Sequence, residues 1–288
     1  MTLDVRADAE RLAEVALAED GPRDITSDVT VPPGTAGSGL LRFKTDGVLA
    51  GTGYADAVAL RCGCRCVWHA GDGARVAAGT AVGVVTGPLR GILRAERPLL
   101  NLVQRASGIA AAARQYVDAV AGSRARILHT RKTAPGLRLL DVSAALAGGA
   151  VLHRLDLATT VMVKDNHWSA LSTGGRTLAQ ALADARAQGS SGLQVEVESE
   201  DQLREAVAAG ATRLLIDNQT PATVAAWATT ARRLSPGIEI EASGGVTLDN
   251  VRLYAAAGAD FISVGALTHS PRAADVSMEV NTAHFLLR

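Results

Sequence analysis

From about residue 126 the sequence alternates in a way that few architectures accommodate. Short apolar runs (ILHT at 127–130, TVMV at 160–163, LQVEV at 193–197, RLLI at 213–216, IEIEA at 238–242 and FISV at 261–264) are separated by stretches of helical character. Parallel strands need long crossover connections, usually helical, so repeated strand–helix units predict a parallel sheet. Six units in roughly 150 residues are too few for an eight-stranded barrel of ordinary size. An α/β fold with an incomplete α/β barrel is the first expectation, and an open doubly wound sheet the second.

The preceding residues read differently. Residues near 5–18 are predicted to form an amphipathic helix with Leu12, Val15 and Ala16 among its apolar positions. Residues 25–95 look strand-rich, with runs such as GLLRFK and AVGVVTG broken by glycine turns. A long helix is predicted from Glu96 to Ala121, with Pro98 in its first turn, where proline is tolerated. Cys62, Cys64 and Cys66 alternate as on a strand; such close spacing suits one tetrahedral metal poorly, so they read as small apolar residues.

Charge narrows the function. Lys plus Arg and Asp plus Glu both number 29, a balance that argues against a nucleic-acid binder yet leaves room for a local basic pocket. The N-terminal stretch is acidic and amphipathic, and no apolar run approaches a membrane span, so a cytoplasmic protein without membrane association is expected.

The chemistry gathers where the strands end. ILHT runs into Arg131-Lys132, TVMV into Lys164-Asp165, RLLI into Asp217-Asn218, IEIEA into Ser243-Gly244-Gly245, and FISV into Gly265, while Glu196 lies within LQVEV. Active sites of α/β barrels are built at the C-terminal ends of parallel strands. Alternation places Gln194, Glu196 and Glu198 on one strand face, and Glu239, Glu241 and Ser243 on another. Ordinary buried parallel strands are nearly continuous apolar runs, and carboxylates are costly to bury unpaired, so a polar barrel lumen is predicted.

The segments ASGGVTLDNV and SVGALTHS set glycines between a strand and a helix, a pattern that suits phosphate. Arg105, Arg131, Lys132, Arg138, His153, Arg154 and Lys164 crowd into the middle of a neutral chain. Arginine forks bind carboxylate or phosphate bidentately. A basic pocket beside Glu196 and Asp217 suits a multiply anionic substrate with Mg²⁺, which keeps several waters and few carboxylates.

With these segments in hand, the chain resembles the quinolinate phosphoribosyltransferase family almost end to end. ALAEDGPRDITS, DGVLAG and ERPLLNLVQRASGIA are similar to its N-terminal part; HTRKTAPGLR, GGAVLHR, VKDNH, VEVESEDQLREA, IDN, EASGGV and SVGALTHS are similar to its catalytic part. The resemblance implies an N-terminal α/β sandwich domain with a linking helix (1–112), a barrel domain (113–270), and a C-terminal segment (271–288) packing back on the first. It implies phosphoribosyl transfer from phosphoribosyl pyrophosphate (PRPP) to quinolinate with decarboxylation, with Mg²⁺, in a homodimer or higher oligomer. Carried over by position, Arg105 would reach the neighbouring subunit's site, and Arg131, His153, Arg154 and Lys164 would bind quinolinate. Lys132 would lie near the phosphoribosyl group, with Lys132, Lys164, Glu196 and Asp217 catalytic and the two acids near the metal. Ser243, Gly244, Gly265 and His269 would face the 5-phosphate.

The sequence departs from the family pattern at several points. Asp141-Val142-Ser143-Ala144 stand where Glu-Lys-Tyr-Ala is usual, Leu152 where asparagine is, Asp156 where glycine is common, and Thr159 where aspartate is. These keep two alternatives open: a paralogue using another pyridine carboxylate or serving molybdenum transport, and a non-catalytic anion-binding paralogue.

Overall fold

The computed structural model describes residues 3–282. In chain order the elements are α1 (Arg6–Glu19), α2 (Ile25–Thr30), β1 (Ala36–Phe43), β2 (Gly47–Val48), α3 (Thr52–Arg61), β3 (Arg65–Trp68), β4 (Arg75–Val76), β5 (Ala81–Pro88) and α4 (Leu89–Ala119). Next come β6 (Arg126–Leu128), α5 (Arg138–Ala147), β7 (Val161–Val163), α6 (Asp165–Thr173), α7 (Leu178–Ala187), β8 (Leu193–Val197) and α8 (Glu200–Ala208). The chain closes with β9 (Arg213–Asp217), α9 (Pro221–Leu234), β10 (Glu239–Ser243), α10 (Val251–Ala256), β11 (Phe261–Ser263), α11 (Ala266–His269) and β12 (Val276–Thr282). Two compact units result: one gathers the chain up to Arg114, Thr133–Gly149 and the segment from Leu267 on; the other holds Gln115–Lys132 and Ala150–Ala266.

The first unit is built on an antiparallel sheet in the order β12-β1-β5-β3, with a small β2–β4 ribbon. β12 pairs with β1 from Gly37↔Thr282 to Phe43↔Val276. Residues 283–288 of the expected C-terminal segment lie outside the described residues. α1 packs against α3, and the Tyr54 hydroxyl donates to Asp8 at 3.0 Å.

Three expectations need correcting here. Val15 is 47% exposed; the buried stripe of α1 is Ala9, Leu12, Ala13 and Leu17. The long helix begins at Leu89 rather than Glu96, so Pro98 sits inside it. Proline costs an interior helix about 3 kcal/mol, and the fully buried stripe of Ile92, Ala95, Leu99, Val103, Ala106 and Ile109 carries the helix across it. The three cysteines do not share a strand, because α3 ends just before Cys62 and only Cys66 lies in β3.

The second unit holds one six-stranded parallel sheet, in the order β6-β11-β10-β9-β8-β7, containing all six expected strands. A single parallel bridge, Leu128↔Val151, extends it beyond β6. This is the incomplete barrel. Crossover helices start at side-chain caps: Thr177 accepts from Gln180 N–H, Ser199 from Gln202 N–H, and Thr220 from Thr223 N–H just before Pro221. The floor is formed where strands begin. There the Phe261 ring lies 4.7 Å from the Arg126 guanidinium and 3.9 Å from that of Arg213, and Arg213 pairs with Glu239 at 2.7 Å.

The tightest helix contact in the first unit gives a prediction. A Cβ on Gly108 would stand 2.0 Å from the Arg272 carbonyl oxygen and 3.0 Å from Ala273 Cα. Alanine would gain up to about 1 kcal/mol of helix propensity, but forcing that backbone apart costs more. Gly108→Ala should lower the thermal midpoint by a few degrees in circular dichroism melts, a net loss of about 1–3 kcal/mol; an unchanged or raised midpoint would contradict this packing.

Candidate active site

Within the second unit, strand ends surround a cavity of about 330 Å³. Its lining is Arg131 and Lys132 beyond β6, His153 and Arg154, Lys164 beyond β7, Asp217 ending β9, and Ser243 ending β10, with His129, Glu241 and Ser263 deeper and Met162 and Leu215 as apolar walls. Eight of the residues singled out in the sequence thus meet in one place. A larger cavity, about 880 Å³, opens in the first unit, but its arginines are already engaged. Arg23 pairs with Asp28 and Arg61 with Glu14; Arg90 donates to the Val31 carbonyl and Arg94 to those of Gly21 and Pro22.

The smaller cavity is cationic by construction. Arg154 donates to the Thr160 carbonyl at 3.2 Å and lies against Met162 Sδ. Burial, with Arg131 nearby, pushes its guanidinium below the ordinary arginine value. Arg131 keeps a buried Nε with no hydrogen-bond partner among the described residues. A buried donor without an acceptor costs about 1–3 kcal/mol, and an anion would remove that cost. Lys164 caps the start of α6 and donates its ammonium to Glu196, whose side chain is only 5% exposed. Glu196 therefore holds Lys164 at the cavity edge and is absent from the cavity lining itself.

Beneath the cations lies a buried polar belt. Glu241 is fully buried and accepts from Gln194 Nε2 and Ser263 Oγ, each at 2.6 Å; Arg213 Nη1 stands 3.5 Å and His153 Nε2 3.6 Å from its Oε2. Burial alone would raise this carboxyl; His153, the Ser263 hydroxyl and Arg213 outweigh it and hold it below the usual range. The alternation of Gln194, Glu196 and Glu241 into a polar lumen is as the sequence predicts. Glu239 instead serves the floor, and Glu198 is exposed beyond the strand.

The glycine segment closes one side. Gly244 has φ +85°, and a Cβ there would meet Asn218 Oδ1 at 2.1 Å. Asn218 is itself left-handed at φ 53°, donates its N–H to the Ser243 carbonyl at 2.9 Å, and gives its side-chain amide to Asp217 at 2.5 Å. The expected helix N-terminus is not at these glycines, because α10 starts only at Val251 and has six residues. What this turn offers an anion is glycine backbone.

Besides Glu196 and Gly244, three expected site residues lie outside the cavity lining. Gly265 follows β11. His269 is exposed at the end of α11 with Nδ1 2.6 Å from Ser270 Oγ. Arg105 is held within the first unit: both its Nε and Nη2 bind buried Asp141, at 2.7 and 2.8 Å, and Asp141 also accepts the Ala134 N–H at 3.3 Å. A bidentate pair with a fully buried carboxylate fixes the direction of this guanidinium.

Sequence reasoning passed over His129. It is fully buried, its Nε2 accepts the backbone N–H of His153 at 3.1 Å, and its ring stands edge-on to that of His153 at 6.4 Å. The signal was its place two residues before Arg131, at a strand end.

Residues 24–107 match the family model described as quinolinate phosphoribosyl transferase, N-terminal domain, and residues 109–279 the one for its C-terminal domain. The chain belongs to the quinolinate phosphoribosyl transferase family. It is 40% identical over 263 residues to the nicotinate-nucleotide pyrophosphorylase [carboxylating] of Mycobacterium leprae, covering 89% of this chain and 91% of that one. It is 40% identical over 242 residues to the human protein of the same name, covering 82% and 80%. The solved nicotinate-nucleotide pyrophosphorylase of Francisella tularensis superposes with a TM-score of 0.88 at 30% identity, covering 96% of this chain and 97% of that one. Among the described residues of this family member, no group of three or more His, Cys, Asp or Glu could cage a metal ion, and no helix is long and apolar enough to cross a membrane.

Burial gives a pH prediction. The His129 ring is pushed down to about 4 by desolvation, with His153 adding to the shift, against about 6.5 in an unfolded chain. Between those values the unfolded chain binds a proton that the folded chain refuses, so stability falls as pH drops from about 6.5 to about 4. The loss should reach about 3 kcal/mol at the acid end. His129→Gln, which keeps an acceptor near the Nε2 position, should flatten that slope in urea titrations; an equally steep slope would refute the assignment.

Proposed function

We propose that this chain transfers the phosphoribosyl group of PRPP to the ring nitrogen of quinolinate, releasing pyrophosphate and CO₂ and leaving nicotinate mononucleotide for NAD synthesis. As a pentosyltransferase it needs little covalent chemistry of its own, because pyrophosphate already leaves readily. Positioning and charge are the protein's task. The observation that carries the reading is the cavity's cation set, Arg131, Lys132, Arg154 and Lys164, gathered beside Asp217 with an unsatisfied buried donor on Arg131.

The residues divide by position. Arg131, Arg154 and His153 would receive the two carboxylates of the acceptor. Lys132, with the glycine backbone after Ser243, would receive phosphate oxygens. As the bond from the anomeric carbon to pyrophosphate breaks, the electron pair leaves with pyrophosphate and positive charge grows on the ribose. Asp217 stabilises that charge, and the pyridine nitrogen's lone pair forms the new bond. The bond to the 2-carboxylate then breaks, CO₂ departs, and the pair left on carbon takes up a proton while the nearby cations stabilise it.

Mg²⁺ belongs to the same proposal, and the residues fit it in one way. With no protein cage, the ion would be held mainly by substrate phosphates and water, with Asp217 as its protein carboxylate; bound there it would neutralise charge on the departing pyrophosphate. Glu196, committed to Lys164, serves it only indirectly. Supporting quinolinate as acceptor, none of Val142, Leu152, Asp156 and Thr159 lines the cavity. A homodimer and a cytoplasmic setting are further parts of the proposal, with Arg105, steadied by Asp141, reaching the neighbouring subunit's site.

The test is release of CO₂ from carboxyl-labelled quinolinate, with PRPP and Mg²⁺ each supplied or omitted. Product should form only with both, and Arg131→Ala should raise KM for quinolinate about 10- to 100-fold, as loss of a charged hydrogen bond implies. PRPP binding without any turnover of quinolinate would move the acceptor to another pyridine acid.

A further inference from the structure

The belt below the cavity contains two groups that the transfer reaction does not use directly. Glu241 and His129 are both fully buried, and both converge on His153. His129 stays neutral at physiological pH, and its Nε2 accepts the His153 backbone N–H. Its proton must therefore sit on Nδ1, which faces the Thr130 carbonyl at 3.4 Å. The main chain at His153 is thus tied to the end of β6. The side chain is governed from β10, where Glu241 Oε2 stands 3.6 Å from His153 Nε2. Glu241 is itself immobilised by Gln194, Ser263 and Arg213. A histidine held by backbone at one end and carboxylate at the other has little rotational freedom. Outer partners of this kind fix ring orientation and tautomer.

We propose that Glu241 and His129 are positioning residues that fix the orientation of the His153 imidazole at the acceptor's side of the cavity. The assignment rests on the function proposed above, and it makes the buried belt a determinant of acceptor binding rather than mere filling. Arg213 extends the device to the barrel floor, since it pairs with Glu239 and Glu241 together and stacks on Phe261.

The experiment uses full-length Glu241→Gln, which keeps shape and removes charge. Steady-state kinetics should show KM for quinolinate raised about 10- to 100-fold, the range for outer partners of metal-bound histidines, with KM for PRPP and kcat within about threefold. In substrate-free protein, the ring ¹⁵N signals of His153, assigned by their loss in His153→Asn, should shift from their wild-type positions. Unmoved ring signals, or equal losses in kcat and both KM values, would make Glu241 purely structural and overturn the inference. If Glu241→Gln does not fold, Gln194→Met removes one of the carboxylate's donors and should move the same signals, with a several-fold rise in KM for quinolinate; no movement there counts against the inference too. Wild-type protein inert toward quinolinate, with ring signals that still respond to Glu241→Gln, would refute the proposed acceptor and leave the positioning assignment standing.

Discussion

A single buried carboxylate organises the second unit. Glu241 stands in the middle of a parallel sheet, where an unpaired charge is too costly to keep. Every neighbour within reach is a donor or a cation: Gln194 from β8, Ser263 from β11, Arg213 from β9, and His153 beyond β6. Satisfying it commits four segments of the barrel to polar residues at matched heights. An apolar lumen would pack at no such cost, and replacing buried charges with apolar residues is often neutral or stabilising. The belt is therefore hard to explain by stability, and the cavity directly above it gives the reason.

That cavity carries the opposite imbalance. Arg131 and Arg154 lie close enough for Arg131 to lower the Arg154 pKa, and Arg131 has a buried donor without an acceptor. Like charges held together by a rigid frame store unfavourable energy that a dianionic ligand releases on binding. Lys164 is steadied by Glu196 beneath it, so its ammonium can face the cavity without collapsing onto a nearer partner. The acids are placed below or beside the cations, where they set position without cancelling the field at the centre. Preorganisation of this kind lets electrostatics act with little rearrangement at the moment of reaction.

Most of this was legible because strands advertise their faces. A period of two places Gln194 and Glu196 in phase on one strand and Glu241 on another, and the polar strand ends mark the rim of the cavity. Legibility failed where the deciding partner is distant or the signal is shared. Nothing local marks Arg105 as the partner of an aspartate 36 residues away. His129 sits at the end of an apolar run and reads as one more strand residue until its ring nitrogen is seen to hold the next loop. Pro98 looks like a helix start because propensity is local, whereas the stripe from Ile92 to Ile109 that overrides it is a property of the packed unit.

The same distinction bears on the departures from the family pattern. At the first of them the acid is kept, shortened from glutamate to Asp141, and its carboxylate holds both Arg105 and the Ala134 backbone. At the second, a lysine is replaced by Val142, which is 1% exposed on the inner face of α5. A lysine fits such a place only with a buried anion to match, whereas valine needs none. At the third, Ser143 closes its hydroxyl onto the Leu140 carbonyl within the same helix. Each change is thus explained by packing or pairing inside the first unit, where α5 belongs. The strand ends of the second unit, which line the cavity, keep their cations and Asp217. Three of the six departures thus fall where a helix must pack, and none of the six takes a cation or Asp217 from the cavity.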